Sequence, residues 1–426
     1  MIRARGRRLA LLALPLFAWG CDAGGPAEGD PLELALEPLA SPADQGALFP
    51  FVASGPEGGA YLSWTQPLPE GGHAIRLAAL RGGEWSEART ITTGDRFFVN
   101  WADFPSVHAL PGGTLAAHWL ARSGEGTYDY DVQVATSPDG GSTWSDPVVL
   151  HRDGIAAEHG FVSFFPSGGG FGAVWLDGRN TKGGHGEGAE GAHDAGGHGA
   201  PETAMTLHST VLNPDGTLAP TETLLDLRIC DCCQTAAAVT GQGPVVVYRD
   251  RSAEEVRDIS VVRQVEGVWT EPATLHDDQW VIPGCPVNGP ALAARGDDVV
   301  AAWFTGAEGI PRTRLAFSAD AGATWGDAIE VDDGNPLGRV DVEILEDGSA
   351  FVVWLEAAAG ETEALIRARR VHPDGVRSAS TDLAMTPAAR SSGFPRMAPG
   401  DGGIVLAWTD PSEAGGVRVM RVRVDP

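Results

Sequence analysis

Ser137-Pro138-Asp139-Gly140-Gly141-Ser142-Thr143-Trp144 and, 181 residues later, Ser318-Ala319-Asp320-Ala321-Gly322-Ala323-Thr324-Trp325 share the pattern S-x-D-x-G-x-T-W at every defined position. The chemistry of the pattern is that of a hairpin turn. A Ser and an Asp oxygen can accept hydrogen bonds from turn N–H groups, Gly141 or Gly322 can take positive φ without steric cost, and the closing Trp144 or Trp325 can pack beside the turn. Two full matches in one chain imply a repeated unit rather than a chance turn.

These two stretches, through Ser137, Asp139, Gly141, Thr143 and Trp144 and again Ser318, Asp320, Gly322, Thr324 and Trp325, resemble the Asp-box (BNR-repeat) proteins of the sialidase superfamily. The resemblance implies a β-propeller in which the box is an outer scaffold turn without a catalytic part. It therefore gives an expected architecture before it gives a reaction.

The remaining repeats are legible from spacing. A short apolar strand, a Gly-containing turn and a strand ending in an aromatic recur, with anchors at Trp64, Trp119, Trp175, Tyr248, Trp303, Trp354 and Trp408. The spacings are 55, 56, 73, 55, 51 and 54 residues. That period suits a four-stranded sheet with its turns, so each unit is expected to be one propeller blade. Seven anchors predict seven blades, against the six that the resemblance implies; one misread terminal repeat would restore six. Asn213-Pro214-Asp215-Gly216 and His372-Pro373-Asp374-Gly375 read as decayed boxes lacking the Thr-Trp ending. The last repeat has room for three strands only, and the alternating run Leu32 to Leu39 is expected to supply the fourth and close the ring.

Composition agrees with an all-β chain: 57 Gly, 30 Pro and 13 Trp in 426 residues. Excluding Arg3, Arg5, Arg7 and Arg8 from the 30 basic residues leaves 26 against 57 acidic ones, a formal charge of −31. Such a surface repels a phosphate backbone, so no nucleic-acid partner is expected. The Arg-rich start, the apolar run from Leu9 to Trp19 and Gly20 before Cys21 read as an export signal over residues 1–20. The site resembles a bacterial lipoprotein cleavage box, which implies lipidation of Cys21, a membrane partner through that anchor and an envelope location. Residues 21–31 then form a flexible tether, and 32–426 a single propeller domain. The 73-residue spacing holds an insertion, 183–200, rich in Gly and His and unable to build a core.

Loops joining second to third strands and loops joining consecutive blades are expected, by the resemblance, to share one face, with the Asp boxes on the other. That gathers Asp103, His159, Asp177, Arg179, Arg249, Asp250, Arg251, Asp258, the insertion and the cysteines on one side. Cys230, Cys232 and Cys233 lie in C-D-C-C-Q, and Cys285 in G-C-P-V-N-G-P one repeat later. Two readings stand open. An even number of thiols in an exported chain suits two disulfides; C-x-C-C also suits a thiolate site for Cu or Zn, with His185, His193 and His198 supplementing it.

Asp103, Asp177, Arg179, Arg249, Asp250, Arg251 and Asp258 are candidates for an Asp–Arg site that grips a carboxylate, or for ladders that pin loops together. Sialidase chemistry would need three Arg, a Tyr assisted by Glu, an Asp acid and an early F/Y-R-I-P motif. The corresponding strand reads Leu48-Phe49-Pro50-Phe51 and lacks the Arg; Gly393-Phe394-Pro395-Arg396 carries one, but in the last repeat. The expected function is thus a ligand-binding envelope module for a glycan, a peptide or a metal, with a sialidase-like glycosidase and a copper or zinc protein as alternatives.

Overall fold

The computed structural model describes residues 32–181, 204–360, 362–412 and 415–424. The expected export signal, Cys21, the expected tether and the insertion with His185, His193 and His198 lie outside the described residues.

Seven antiparallel sheets follow one another around a ring. Their innermost strands are Leu48–Ser54, Ser106–Ala109, His159–Ser167, Ala236–Thr240, Ala291–Arg295, Pro336–Ile344 and Arg396–Gly400. Each is followed by the strand ending at or near its aromatic anchor and by a third strand, and in the first six blades by an outer one. The seven-bladed reading holds.

The anchors explain why these segments form blades. Trp64, Trp175, Trp303 and Trp354 are almost fully buried, as is Tyr248, while Trp408 on the closing blade is half-buried. At about 25 cal/mol per Å² and roughly 150–250 Å² per side chain, each such Trp contributes at most on the order of 4–6 kcal/mol of transfer free energy. Burial obliges the indole N–H to find an acceptor. Trp175 donates to Asp177 at 2.9 Å, Trp354 to Glu356 at 2.6 Å and Trp64 to Gln66 at 3.3 Å, each two residues along the same strand. The core divides into seven clusters, and six of them fill the wedge between two adjacent blades. The seventh joins the third and fourth blades and reaches the mouth of the central channel through Phe49, Phe104, Phe161 and Phe394.

Both Asp boxes form the turn between third and fourth strands, at the end of the blade away from the inter-blade loops. Asp139 Oδ1 accepts from Ser142 N and Thr143 N at 3.0 and 2.8 Å, Oδ2 accepts from the Thr143 hydroxyl, and Ser137 Oγ accepts from Gly141 N. Asp320 and Ser318 repeat the arrangement on Thr324 and Gly322. These bonds hold both carboxyls near a pKa of about 2, chiefly through Thr143 and Thr324. Gly141 sits at φ 87°, and a Cβ there would lie 2.6 Å from Leu77 Cδ2, so this position needs glycine twice over. The decayed box at Asn213 keeps part of the motif, since Asp215 still accepts from Thr217 N and its hydroxyl.

The ring closes as expected. Leu34–Leu39 pairs antiparallel with Gly416–Val424 and supplies the outermost strand of the last blade. Side-chain caps then tie blade to blade at the channel mouth: Asp103 Oδ1 accepts from Phe161 N, Asn288 Oδ1 from Arg339 N, and Thr409 Oγ1 from Phe49 N. Phe49, Phe161 and Arg339 all have φ near +50°, each in a bulge of its inner strand. A non-glycine residue there stores strain that the caps offset.

Candidate metal centre

Cys230 follows the outer strand Thr223–Ile229 of the third blade, and the C-D-C-C run leads into the inner strand of the fourth. Cys285 lies in the next inter-blade connection, between Ala273–His276 and Ala291–Arg295. Cys230 Sγ lies 3.9 Å from Cys232 Sγ and 3.6 Å from Cys233 Sγ, and the three fall within 4.8 Å of one another. The group within that distance is these three; Cys285, in the neighbouring connection, is exposed. All four are free thiols. No disulfide joins them among the described residues.

These separations have a physical meaning. Sulfurs in a disulfide sit about 2.0 Å apart, whereas a tetrahedral ion with sulfur ligands at about 2.3 Å spaces them about 3.8 Å apart. The two separations from Cys230 Sγ, 3.9 and 3.6 Å, match the second spacing.

The floor under them is basic and buried. Arg257, 2% exposed, directs Nη1 to Cys230 Sγ at 3.3 Å and Nη2 to Glu255 at 2.8 Å. Burial pushes the Cys230 thiol up, but hydrogen bonds with Cys232 and Cys233 and the charge of Arg257 more than reverse this and hold it well below the usual range. Burial and the bond to Cys230 push the Cys232 and Cys233 thiols up instead. Thiolate ligands bind deprotonated, so uptake of an ion by these cysteines would release protons.

The Asp–Arg candidates turn out to be internal fastenings. Arg249 is 1% exposed and spends its guanidinium on the carbonyls of Asn288, Arg257 and Phe304, lying 4.8 Å over the Trp280 ring. Arg251 binds Glu255 at 2.7 Å and Asp231 at 3.1 Å. Asp258 accepts from Gln279 N and Trp280 N and so fixes the connection that carries Cys285. Asp250 accepts from Arg251 N and Ser260 Oγ, and burial, with Asp226 adding, raises it to about 6. Through these bonds Arg249 and Asp258 fasten the connection that carries Cys285, and Arg251 fastens Asp231 of the C-D-C-C run.

Asp177 and Arg179 belong to a separate network one blade earlier. Arg179 Nε and Nη2 fork onto Asp177 at 2.7 and 2.6 Å, and Nη2 also reaches Glu222 at 2.8 Å. His159 Nε2 bonds Asp153 at 2.9 Å, and its ring stacks on His151 at 3.6 Å. Burial works against the His159 charge, but Asp153 and Asp177 outweigh it and raise the pKa to about 9.

Asp103 is 3% exposed and lies at the channel mouth. Burial raises its pKa to about 7, although Phe161 N opposes the shift. Beside it, Tyr130 donates to Glu158 Oε1 at 2.9 Å, and burial raises Glu158 to about 8. The ring also brings Arg396 of the last repeat to the strand where an early Arg was sought: its guanidinium lies 5.2 Å over the Phe51 ring. It shares a channel cavity of about 310 Å³ with Asp341, Glu343 and His108.

Sequence reasoning missed Arg257, Glu158 and His151. Arg257 was in plain view in V-R-D-I beside Asp258; its signal was a basic residue one position before an acidic one in the loop facing C-D-C-C. Glu158 and His151 carried no local pattern, because what makes them a network is the packing of the second blade on the third.

No family model matches the sequence, and no curated protein is similar to it. Among solved structures, the K499G mutant of the NanB sialidase of Streptococcus pneumoniae is similar at TM-score 0.45 and 10% identity, over 86% of this chain and 83% of that one. An α-L-arabinanase of Penicillium chrysogenum complexed with arabinobiose gives 0.46 and 14%, over 92% and 98%. The GH93 α-L-arabinofuranosidase of Fusarium graminearum gives 0.48 and 12%, over 89% and 93%.

Proposed function

We propose that this Asp-box propeller is an envelope protein that binds one soft metal ion, Cu(I) or Zn(II), through Cys230, Cys232, Cys233 and Cys285 on its loop face. The observation that carries the reading is the cluster of Cys230, Cys232 and Cys233, with Cys230 Sγ 3.9 and 3.6 Å from the other two sulfurs; Cys285, in the neighbouring connection, is proposed as the fourth ligand. Thiolate ligands select soft ions over oxygen-loving ones. The export signal, with Cys21 as the lipid anchor, supports an envelope location.

The test is elemental analysis of full-length mature protein purified under reducing conditions, with a thiol count on the same sample. One ion per chain, lost in Cys230→Ser, is the expected result. Four blocked thiols and no metal would make the cysteines disulfide staples and end this reading.

A glycosidase reading draws on the Tyr130–Glu158 hydrogen bond. Tyr130 is 1% exposed and stacked on Phe98 at 4.1 Å, and burial pushes its phenol further up, the reverse of what a nucleophile needs. Arg179 and Arg251 are bound to their own carboxylates. Release of sugar from an α-sialoside by purified protein would restore it.

A further inference from the structure

Two arginines meet over one tryptophan at the mouth of the central channel. Arg339 lies in the inner strand of the sixth blade, in the bulge between Gly338 and Asp341, at φ 54°. It is 7% exposed, donates from Nη1 to the carbonyls of Ala389 and Gly393 at 3.1 Å each, and lies 4.9 Å over the Trp101 ring. Arg390, in the connection from the sixth blade to the seventh, is exposed and stands 5.8 Å from the same ring. Trp101 comes from the connection between the first and second blades, half-buried and stacked on Phe394 at 5.7 Å.

The pair has no counter-ion. Arg179, Arg251 and Arg257 each sit on a carboxylate. Among the described residues neither Arg339 nor Arg390 forms an ion pair, although the chain carries 57 acidic residues against 30 basic ones. The acidic residue nearest in sequence, Asp341, accepts from Met397 N at 2.8 Å and faces Arg396 at 3.7 Å. Burial, with the charge of Arg390 adding, lowers the Arg339 pKa to about 10. A buried cation without a carboxylate is costly, and a second cation beside it adds to the cost. The Trp101 face offsets only part of that. The left-handed backbone of the bulge adds strain, and bulges of this kind re-aim a side chain.

Going beyond the metal reading and independent of it, we infer that Arg339, Arg390 and Trp101 form a binding site for a dianionic oxyanion, a phosphate or sulfate group, at the channel mouth. Guanidinium N–H groups match the oxygens of such an anion in direction as well as charge. A dianion neutralises both arginines, whereas a single carboxylate leaves one charge unmatched. Arg339 is the preset half of the site, fixed by its two carbonyls. Arg390 is the exposed half, and the ligand enters from solvent on its side.

Calorimetric titration of the full-length protein with sodium phosphate, sodium sulfate and sodium acetate tests this, at matched ionic strength and at a slightly alkaline pH where phosphate is a dianion. One phosphate or sulfate per chain is expected, with acetate at least about tenfold weaker. Arg390→Gln should weaken the dianion at least about tenfold, as loss of a hydrogen bond to a charged group does. Its thermal midpoint without ligand should stay at or above that of the parent, because a like charge beside Arg339 is gone, and this shows that the variant is folded. Arg81→Gln, at an exposed arginine 3.7 Å from Glu57 on the opposite face, should bind as the parent does. Folded parent that binds neither dianion, acetate bound as tightly as phosphate, or unchanged dianion affinity in Arg390→Gln would each overturn the inference. The metal content of the protein does not enter these titrations, so either reading can fail alone.

Discussion

Arg257 donates from Nη1 to Cys230 Sγ across 3.3 Å, with both side chains almost wholly buried. A buried thiolate needs a positive neighbour, and Arg257 is itself kept in place by Glu255 at 2.8 Å. Outer partners of metal ligands are typically worth 10–100-fold in affinity. Arg257→Met should therefore lower Cu(I) or Zn(II) affinity by about that factor with stoichiometry unchanged, and Arg257→Lys should recover part of it. Competition titration against a chelator of known affinity reads the effect; equal affinity in the parent and the Met variant would separate Arg257 from the site.

Stability should fall on the alkaline side of neutrality. His159 has its pKa raised to about 9, so its contribution is fully present below about 6.5 and is lost as pH rises through 9. The shift corresponds to about 3 kcal/mol. Glu158 and Asp103, raised by burial to about 8 and 7, act in the same direction, because the native state prefers their protonated forms. Denaturant midpoints at pH 6 and pH 9.5 measure the sum. Glu158→Gln should flatten the part of the fall that lies between pH 6 and about 8, leaving the His159 part above it, and an unchanged pH profile in that variant would count against the assignment.

The Asp box is expected to matter for stability and not for ligand. Gly141→Val places a branched side chain at φ 87° and against Leu77. The cost should be on the order of 1–3 kcal/mol, seen as a lower thermal midpoint. Metal stoichiometry should stay at the parent value, because the turn lies at the far end of its blade from the cysteine loops.

Removing residues 32–39 from the mature chain strips the outer strand from Gly416–Val424 and leaves that edge unpaired. With six residue pairs lost and net hydrogen-bond contributions of about 1 kcal/mol each, the ring should lose on the order of 3–6 kcal/mol. Size-exclusion chromatography should also show self-association through the bared edge. A truncated chain that stays monomeric with an unchanged midpoint would mean that closure lies elsewhere.

The blade series could be read from the chain because each blade repeats the same local demands: an apolar inner strand, a glycine turn and an aromatic that must be buried. Trp64, Trp175 and Trp354 even carry their indole acceptors two residues on, at Gln66, Asp177 and Glu356. That spacing explains Asp177 more simply than a ligand grip does. The meeting of Cys230, Cys232 and Cys233 was legible too, since one short run carries all three. The state of the arginines was not. Whether Arg249 binds a ligand or three carbonyls depends on where Asn288 and Phe304 arrive, 39 and 55 residues along the chain. Arg396 shows the same limit: in sequence it belongs to the last repeat, yet ring closure sets it over Phe51 of the first.

Glu37 and Arg423 meet across the closing ladder 386 residues apart. At roughly 5–20 residues per second, the strand made first waits roughly 20–80 s for its partner to be synthesised. Throughout that interval Leu34–Leu39 is a strand without a sheet, and its residues suit the wait. Glu37 and Pro38 interrupt the apolar alternation, and most of the segment remains exposed even in the finished ring. Closure is therefore timed by the synthesis of Gly416–Val424, and an arrest before that strand would release an open ring with the Leu34–Leu39 strand unpaired.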